Sequence, residues 1–288
     1  MKYYHVDVFS QRPLTGNGLC VFLCDEFPES EKMLLITREM KQFESIFLKK
    51  NKCLDYDARI FTVDEELDFA GHPILGAAAV VSMAEEEKSE KCITFHLNRK
   101  DVFVESVSMK NDREYFCKMD QGVAEYINTP AEDEIDELIR PLHINRDDLL
   151  DDYPLEVCST GLSYLIVPLK KGIEKGGIFT DDYEKRMEKI NSKFVYLLQV
   201  ENDGKSFLIE GRTWDHSGNE DVATGSAAGP AGNYLVRHNF YKKNEEIIIN
   251  QGRFTGRASK LNVLMNSDDH MIVSGKVNIL GIGDFYPD

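Results

Sequence analysis

The 288-residue chain has one tryptophan, no Cys-x-x-Cys pair and no apolar run long enough to span a bilayer. Each scarcity excludes a class of protein. The six cysteines are Cys20, Cys24, Cys53, Cys92, Cys117 and Cys158. Cys20 and Cys24 sit in or beside a strand-like run with no second pair at metal-finger spacing, so buried free thiols in a reducing compartment are expected rather than a zinc module or a disulfide framework. The first residues already show a strand pattern and no signal-peptide pattern, which reads as a soluble, cytoplasmic protein. Positive charge is also short. With 34 Lys+Arg against 50 Asp+Glu the net charge is −16, which argues against nucleic acid and against an anionic membrane surface as partners. A small anionic substrate remains open, because its binding depends on the local field. What is present is enough to fold: 42% of residues are apolar and the charges are dispersed. The length suits one large domain or two of ordinary size.

Residues 3–9 alternate apolar and polar, as a half-buried strand does. A strand over Leu19–Leu23 follows, then a helix from Ser30 that ends near Gln42. Phe43–Leu48 reads as a strand entered through a tight join. A strand over Asp57–Val63 leads to Ala70-Gly71-His72-Pro73 and a helix of small residues reaching Ala84, with Pro73 well placed near its start. Cys92–Leu97, Val102–Val107 and Glu114–Met119 read as antiparallel hairpin strands. The pattern breaks around Ala124–Thr129, which suggests domains over 1–126 and 127–276. In the second, helices are expected over 131–139, 145–151 and about 181–191, with strands over 155–158, 163–168, 194–200, 206–212, 246–250, 259–266 and 270–275. Gly172–Gly177 looks mobile. A last strand, Val277–Ile282 in a tail reaching residue 288, could rejoin the first sheet.

Arg212–Tyr234 is the most suggestive stretch. A strand end leads into a polar loop with adjacent Glu220 and Asp221, then into a run of small residues from Ala223 to Gly232. It reads either as an anion site at a helix N-terminus, where the first N–H groups lack internal partners, or as a turn followed by a packing helix. The first half holds a similar arrangement at Ala70-Gly71-His72-Pro73. Two helix N-termini directed at one cleft would bring two partial positive charges to a carboxylate.

Several elements together resemble an ordered family motif set. These are Val6-Asp-Val-Phe9 with Gly16-Asn17, Phe43-Glu44-Ser45, Arg59-Ile-Phe-Thr62 through Phe69-Ala-Gly-His-Pro73, and Glu220-Asp-Val-Ala-Thr-Gly-Ser-Ala227. Gln251-Gly252 with Gly256-Arg-Ala-Ser259 adds a late element. In this order they resemble the phenazine-biosynthesis isomerase, or PhzF, family. The resemblance implies an α+β, diaminopimelate-epimerase-like fold: two similar domains related by pseudo-twofold symmetry, each a curved, mostly antiparallel sheet around a central helix, with the active site in the cleft between them.

By the same resemblance Glu44 is general base and acid, able to remove a proton from one carbon and return it to another on the same face of the substrate. Packing against Phe43, Ile46 and Phe47 would raise its pKa toward the working range. Without the resemblance, an edge-strand glutamate in solvent is the commoner reading. His72 matches the family's active-site histidine, for orientation or proton shuttling, and Asp221 a carboxylate that binds or polarises substrate, with Glu220 outward or structural. Gly71, Gly225 and Ser226 would offer backbone N–H groups to a substrate carboxylate. Asn17, Arg212 and Arg257 either touch ligand or hold loops. Cysteine-using relatives of this fold place thiols where this chain has Ala70 and Thr224, so a two-thiol mechanism lacks its residues. Gly18, Val222 and Ala258 depart from family prolines, and Pro230 falls inside the second small-residue helix, where it could kink it. The implied activity is a cofactor-independent isomerase, with no metal or organic cofactor, acting on a small carboxylate-bearing metabolite. The alternatives are an amino-acid-type racemase or epimerase and a non-catalytic small-molecule-binding homologue. A homodimer is a family expectation.

Overall fold

The computed structural model describes residues 1–85, 90–109, 111–178, 182–202, 204, 206–215 and 217–286. Residue 181 of the expected helix at 181–191 and residues 287–288 of the tail lie outside the described residues. The chain divides into two compact units, one of Met1–Asp120 with Ser274–Asp288 and one of Gln121–Val273.

In the first unit, period-two alternation gives β1 (Lys2–Val8), a continuous buried run gives β2 (Asn17–Cys24), and an amphipathic α1 (Ser30–Met40) leads to β3 (Glu44–Lys52). Lys41, at φ 53°, ends α1 in the left-handed region and lets the chain enter β3 within three residues. Then come β4 (Asp55–Thr62), the short β5 (Glu66–Leu67), α2 (Gly71–Ala84), β6 (Lys91–His96), β7 (Asp101–Ser108) and β8 (Glu114–Val123). The sheet runs β1-β2-β3-β4-β6-β7-β8. Its β2–β3 and β4–β6 pairs are parallel, and the others are antiparallel. The parallel joins occur where α1 and α2 provide crossovers.

α2 is buried from Gly71 to Ser82 and packs against β1, β2, β3, β6 and β7. A helix apolar all round can sit only in a core. Gly76 makes the approach possible, since a Cβ there would lie 2.4 Å from a Leu19 methyl. The opposite face of the sheet is covered by α1, over Phe22, Phe47 and Phe61.

The second unit comprises β9 (Glu125–Asn128), α3 (Ile135–Ile139), β10 (Glu156–Ser159), β11 (Ser163–Leu169), α4 (Tyr183–Lys189), β12 (Phe194–Asn202), β13 (Phe207–Arg212), α5 (Gly225–Arg237), β14 (Ile247–Gln251) and β15 (Ser259–Met265). Strand order is β9-β10-β11-β12-β13-β14-β15. Here β11–β12 and β13–β14 are parallel, across α4 and α5. As in the first unit, two parallel pairs are separated by one antiparallel pair. α5 packs against β10, β11, β12 and β15. Pro230 lies within it and the helix continues to Arg237. β16 (His270–Asp284) joins the expected strands 270–275 and 277–282 into one, and pairs antiparallel with β1.

Three local expectations fail for identifiable reasons. The helix expected at 145–151 is a single 3₁₀ turn, Arg146–Asp148, closed by a capping box between Asn145 and Asp148. Leu149 turns extended and bridges Leu169 instead, so the segment extends the sheet. The helix expected at 131–139 begins only at Ile135. Gly172–Gly177 is anchored rather than mobile. Ile173 is fully buried, its N–H donates to Gln199 Oε1 at 3.0 Å, and its carbonyl accepts from Arg212. Among the described residues no helix is long and apolar enough to cross a membrane. All six cysteines are free. Four are buried as expected, whereas Cys53 and Cys92 are exposed.

Candidate active site

Glu44 opens β3 with Leu19 of β2 on one side and Thr62 of β4 on the other, so it is an interior-strand residue and not an edge-strand one. Its side chain is on the sheet face that α2 covers. His72 Nδ1, in the first turn of α2, lies 3.4 Å from Glu44 Oε2, with the two side chains 9% and 14% exposed. The enclosure differs in detail from expectation. Phe43 is exposed and Phe47 packs on the opposite face, in the stack with Phe22, so of the three only Ile46 shares the face of Glu44. Asn17 is buried at the start of β2, on the same face as Leu19 and two residues before it.

Burial pushes the His72 imidazole down to about 3, so it is neutral near pH 7. A neutral imidazole carries one N–H and one acceptor nitrogen. Its Nε2 atom is buried without a hydrogen-bond partner among the described residues. A buried polar atom in that state is costly unless something else pairs with it. Next to it, Gly71 and His72 occupy the first two positions of α2, where backbone N–H groups point out of the helix.

In the second unit Arg212 sets the loop. Its guanidinium makes a two-pronged contact with Glu220, Nε to Oε1 at 2.9 Å and Nη2 to Oε2 at 2.6 Å, and Nη1 donates to the Ile173 carbonyl at 2.6 Å. The pair is almost wholly buried, with side chains 7% and 12% exposed. Arg212 is thus a structural clamp, and Glu220 is its inward structural partner. Trp214 bridges Glu220 across the loop, and Asp215 holds the tip by accepting from the Ser217 and Asn219 amides.

The clamp delivers Asp221 to the N-terminus of α5, where Thr224 is the N-cap and Gly225 and Ser226 the first two residues. Asp221 Oδ2 accepts from Thr224 Oγ1 at 2.6 Å. Ser226 Oγ lies 2.7 Å from the Tyr164 hydroxyl. Gln251 has no role legible in the sequence beyond its place in the Gln251-Gly252 dipeptide. Gln251 is 1% exposed. It donates to the Asp221 carbonyl at 3.0 Å and to Thr224 Oγ1 at 2.9 Å, and accepts from the Thr224 amide at 3.2 Å and the Tyr196 hydroxyl at 3.0 Å. Gly252, at φ 80°, follows, and a Cβ on it would be 2.5 Å from the Val222 and Arg257 carbonyls. Opposite Gln251 in the β14–β15 ladder, Ser259 donates to the Val222 carbonyl at 3.2 Å. Arg257 contributes its backbone here: its N–H closes the turn onto Gly252 and its carbonyl accepts from Ser259.

Within the first unit, then, Glu44 and His72 come together at the start of α2, beside Gly71. Within the second, Asp221, Gly225 and Ser226 come together at the start of α5. Ala70 and Thr224 occupy the two N-cap positions.

The model of the PhzC-PhzF family, phenazine biosynthesis-like protein, matches residues 6–283. The chain is 30% identical over 271 residues to a trans-2,3-dihydro-3-hydroxyanthranilate isomerase of Pseudomonas aeruginosa, covering 90% of this chain and 88% of that one. It is 29% identical over 284 residues to an uncharacterized isomerase of Clostridium acetobutylicum, covering 96% and 93%. A solved Pseudomonas aeruginosa structure described as a predicted epimerase aligns with a TM-score of 0.89 at 40% identity, covering 99% of this chain and 98% of that one, and shares its mixed-sheet α+β architecture. With the match running through every element that carries the site, the chain belongs to the phenazine biosynthesis-like PhzC-PhzF family.

Proposed function

We propose that this protein is an isomerase that transfers a proton within a small carboxylate-bearing metabolite, with Glu44 as general base and acid. The observation that carries the reading is the buried Glu44–His72 pair, 3.4 Å apart at the first turn of α2. The relatives' isomerase names support the reaction class. Glu44 accepts a proton from an acidic carbon, the electron pair moves along the conjugated substrate, and the protonated carboxyl returns the same proton to a second carbon. The step is redox-neutral and has no net proton change. Neutral His72 can donate or accept a hydrogen bond at the charge that develops, without adding a full charge to the site. Within the second unit, the first N–H groups of α5, at Gly225 and Ser226, suit a carboxylate, and Asp221 suits a hydrogen-bond donor.

The test uses trans-2,3-dihydro-3-hydroxyanthranilate as probe in heavy water. Wild type should interconvert it, and Glu44→Gln should lose roughly 10²–10⁴-fold in kcat. Near-normal turnover by Glu44→Gln would sink the assignment.

A second reading, an epimerase, is favoured by the description of the 40%-identical structure. Deuterium entering a stereocentre of an amino-acid-like substrate without net isomerisation would select it.

A further inference from the structure

Gln251 is the most fully engaged polar side chain at the N-terminus of α5, and the reaction roles assigned above do not use it. Its four bonds leave only one way to orient the amide. The Thr224 backbone N–H can only donate, so it must face Oε1. The Asp221 carbonyl can only accept, so it must face Nε2. The second Nε2 hydrogen then goes to Thr224 Oγ1. Because that hydroxyl oxygen is already accepting, its own proton is directed to Asp221 Oδ2, 2.6 Å away. Tyr196, fully buried, donates to the remaining lone pair of Oε1 and so fixes the amide from behind. Both donors and both acceptors of the side chain are used. The result is a one-way chain, Gln251 Nε2–H to Thr224 Oγ1–H to Asp221 Oδ2.

We infer that Gln251 is a positioning residue for the reaction: by fixing the direction of this chain it holds Asp221 as a hydrogen-bond-accepting carboxylate, placed to receive a donor group of the substrate. This rests on the proposed isomerase reading. Glutamate at position 251 has the same shape but, once ionised, donates nothing. The Thr224 hydroxyl then turns to the new carboxylate, and Asp221 Oδ2 loses that donor while Oδ1 keeps the Ala223 amide. Protonated, the same glutamate regains one donor and restores the chain.

The experiment compares wild type, Gln251→Glu and Thr224→Val on trans-2,3-dihydro-3-hydroxyanthranilate across pH. Gln251→Glu should lose at least tenfold in kcat/KM at pH 8, where the new carboxyl is ionised, and recover relative to wild type as pH falls. Thr224→Val, which lacks the hydroxyl, should be impaired without any such recovery. A Gln251→Glu profile parallel to wild type, or recovery in both variants, overturns the inference. If wild type fails to convert the probe, the isomerase reading fails on that substrate, and hydrogen exchange decides the geometry separately. The Thr224 amide should be protected in wild type and exchange at least tenfold faster in Gln251→Met, with Ile249 and Leu261 unchanged. Equal Thr224 exchange in the two proteins overturns the Gln251 hydrogen-bond chain itself.

Discussion

Arg212→Met separates a scaffold arginine from a substrate-binding one. The substitution keeps most of the aliphatic stem but removes both contacts to Glu220 and the bond to the Ile173 carbonyl. It leaves a carboxylate whose side chain is only 12% exposed without its counter-charge. Breaking a buried pair by removing one partner costs roughly 3–5 kcal/mol. For a unit of this size that corresponds to a fall in Tm of roughly 6–20 °C. The chain has its own local reporter. Its single tryptophan, Trp214, is buried in the same loop, with the Arg212 guanidinium 4.9 Å from its ring. Tryptophan fluorescence during urea unfolding therefore follows the affected unit. Adding Glu220→Gln should return part of the loss, with a coupling of roughly 0.5–3 kcal/mol in the double-mutant cycle. A loss below about 1 kcal/mol, or a raised KM with stability intact, would refute the clamp and make Arg212 a ligand group.

His72 should make the protein acid-sensitive. Its pKa is about 3 when folded and near 6.5 when unfolded, so as pH falls the unfolded chain binds the proton first and stability drops between these values. At pH 5 the loss relative to pH 7 is about 2 kcal/mol, and His72→Asn should lack this component. Parallel urea midpoints for the two proteins across that range would contradict it. Cys53 and Cys92 are exposed, while burial raises the Cys20, Cys117 and Cys158 thiols to about 12 and Cys24 to about 11. A chromogenic disulfide reagent at pH 8 should therefore modify these two thiols in the native protein and all six after unfolding. Rapid labelling of a third thiol in the native protein would show that the core is looser than its packing indicates.

The elements with a strong period were legible in the chain. β1, β2, α2 and the hairpin strands β6 to β8 all carry either alternation or a run of apolar residues. The site was legible mainly through motif order, because nothing in the local pattern around Glu44 distinguishes a buried interior-strand glutamate from a solvated one. What makes it buried is the docking of α2 across β2 and β3, a contact between residues far apart in sequence. The same applies to Gln251, whose partners lie 27, 30 and 55 residues away. Local propensity misled at 145–151, where pairing with Leu169 outweighed an acidic helix start. It misled again at Gly172–Gly177, whose glycines and lysines suggest solvent but whose Ile173 is anchored by Gln199 and Arg212.

The pairing of β1 with β16 also constrains when each part of the molecule can be finished during synthesis. Tyr3 aligns with Gly283 and Val8 with Val277, so one edge of β1 has no partner until residues 277–283 have been made. At typical elongation rates that interval is on the order of tens of seconds. Over the same time Gln121–Val273, which is continuous in sequence and has its own cluster of buried residues around Leu165, Leu197 and Trp214, is already complete. The unit that is translated first is therefore the one completed last, and until then it exposes an open strand edge of the kind that recruits wrong partners. Slowing synthesis just before the codons for residues 277–283 should increase aggregation of the nascent chain more than slowing it around residue 200.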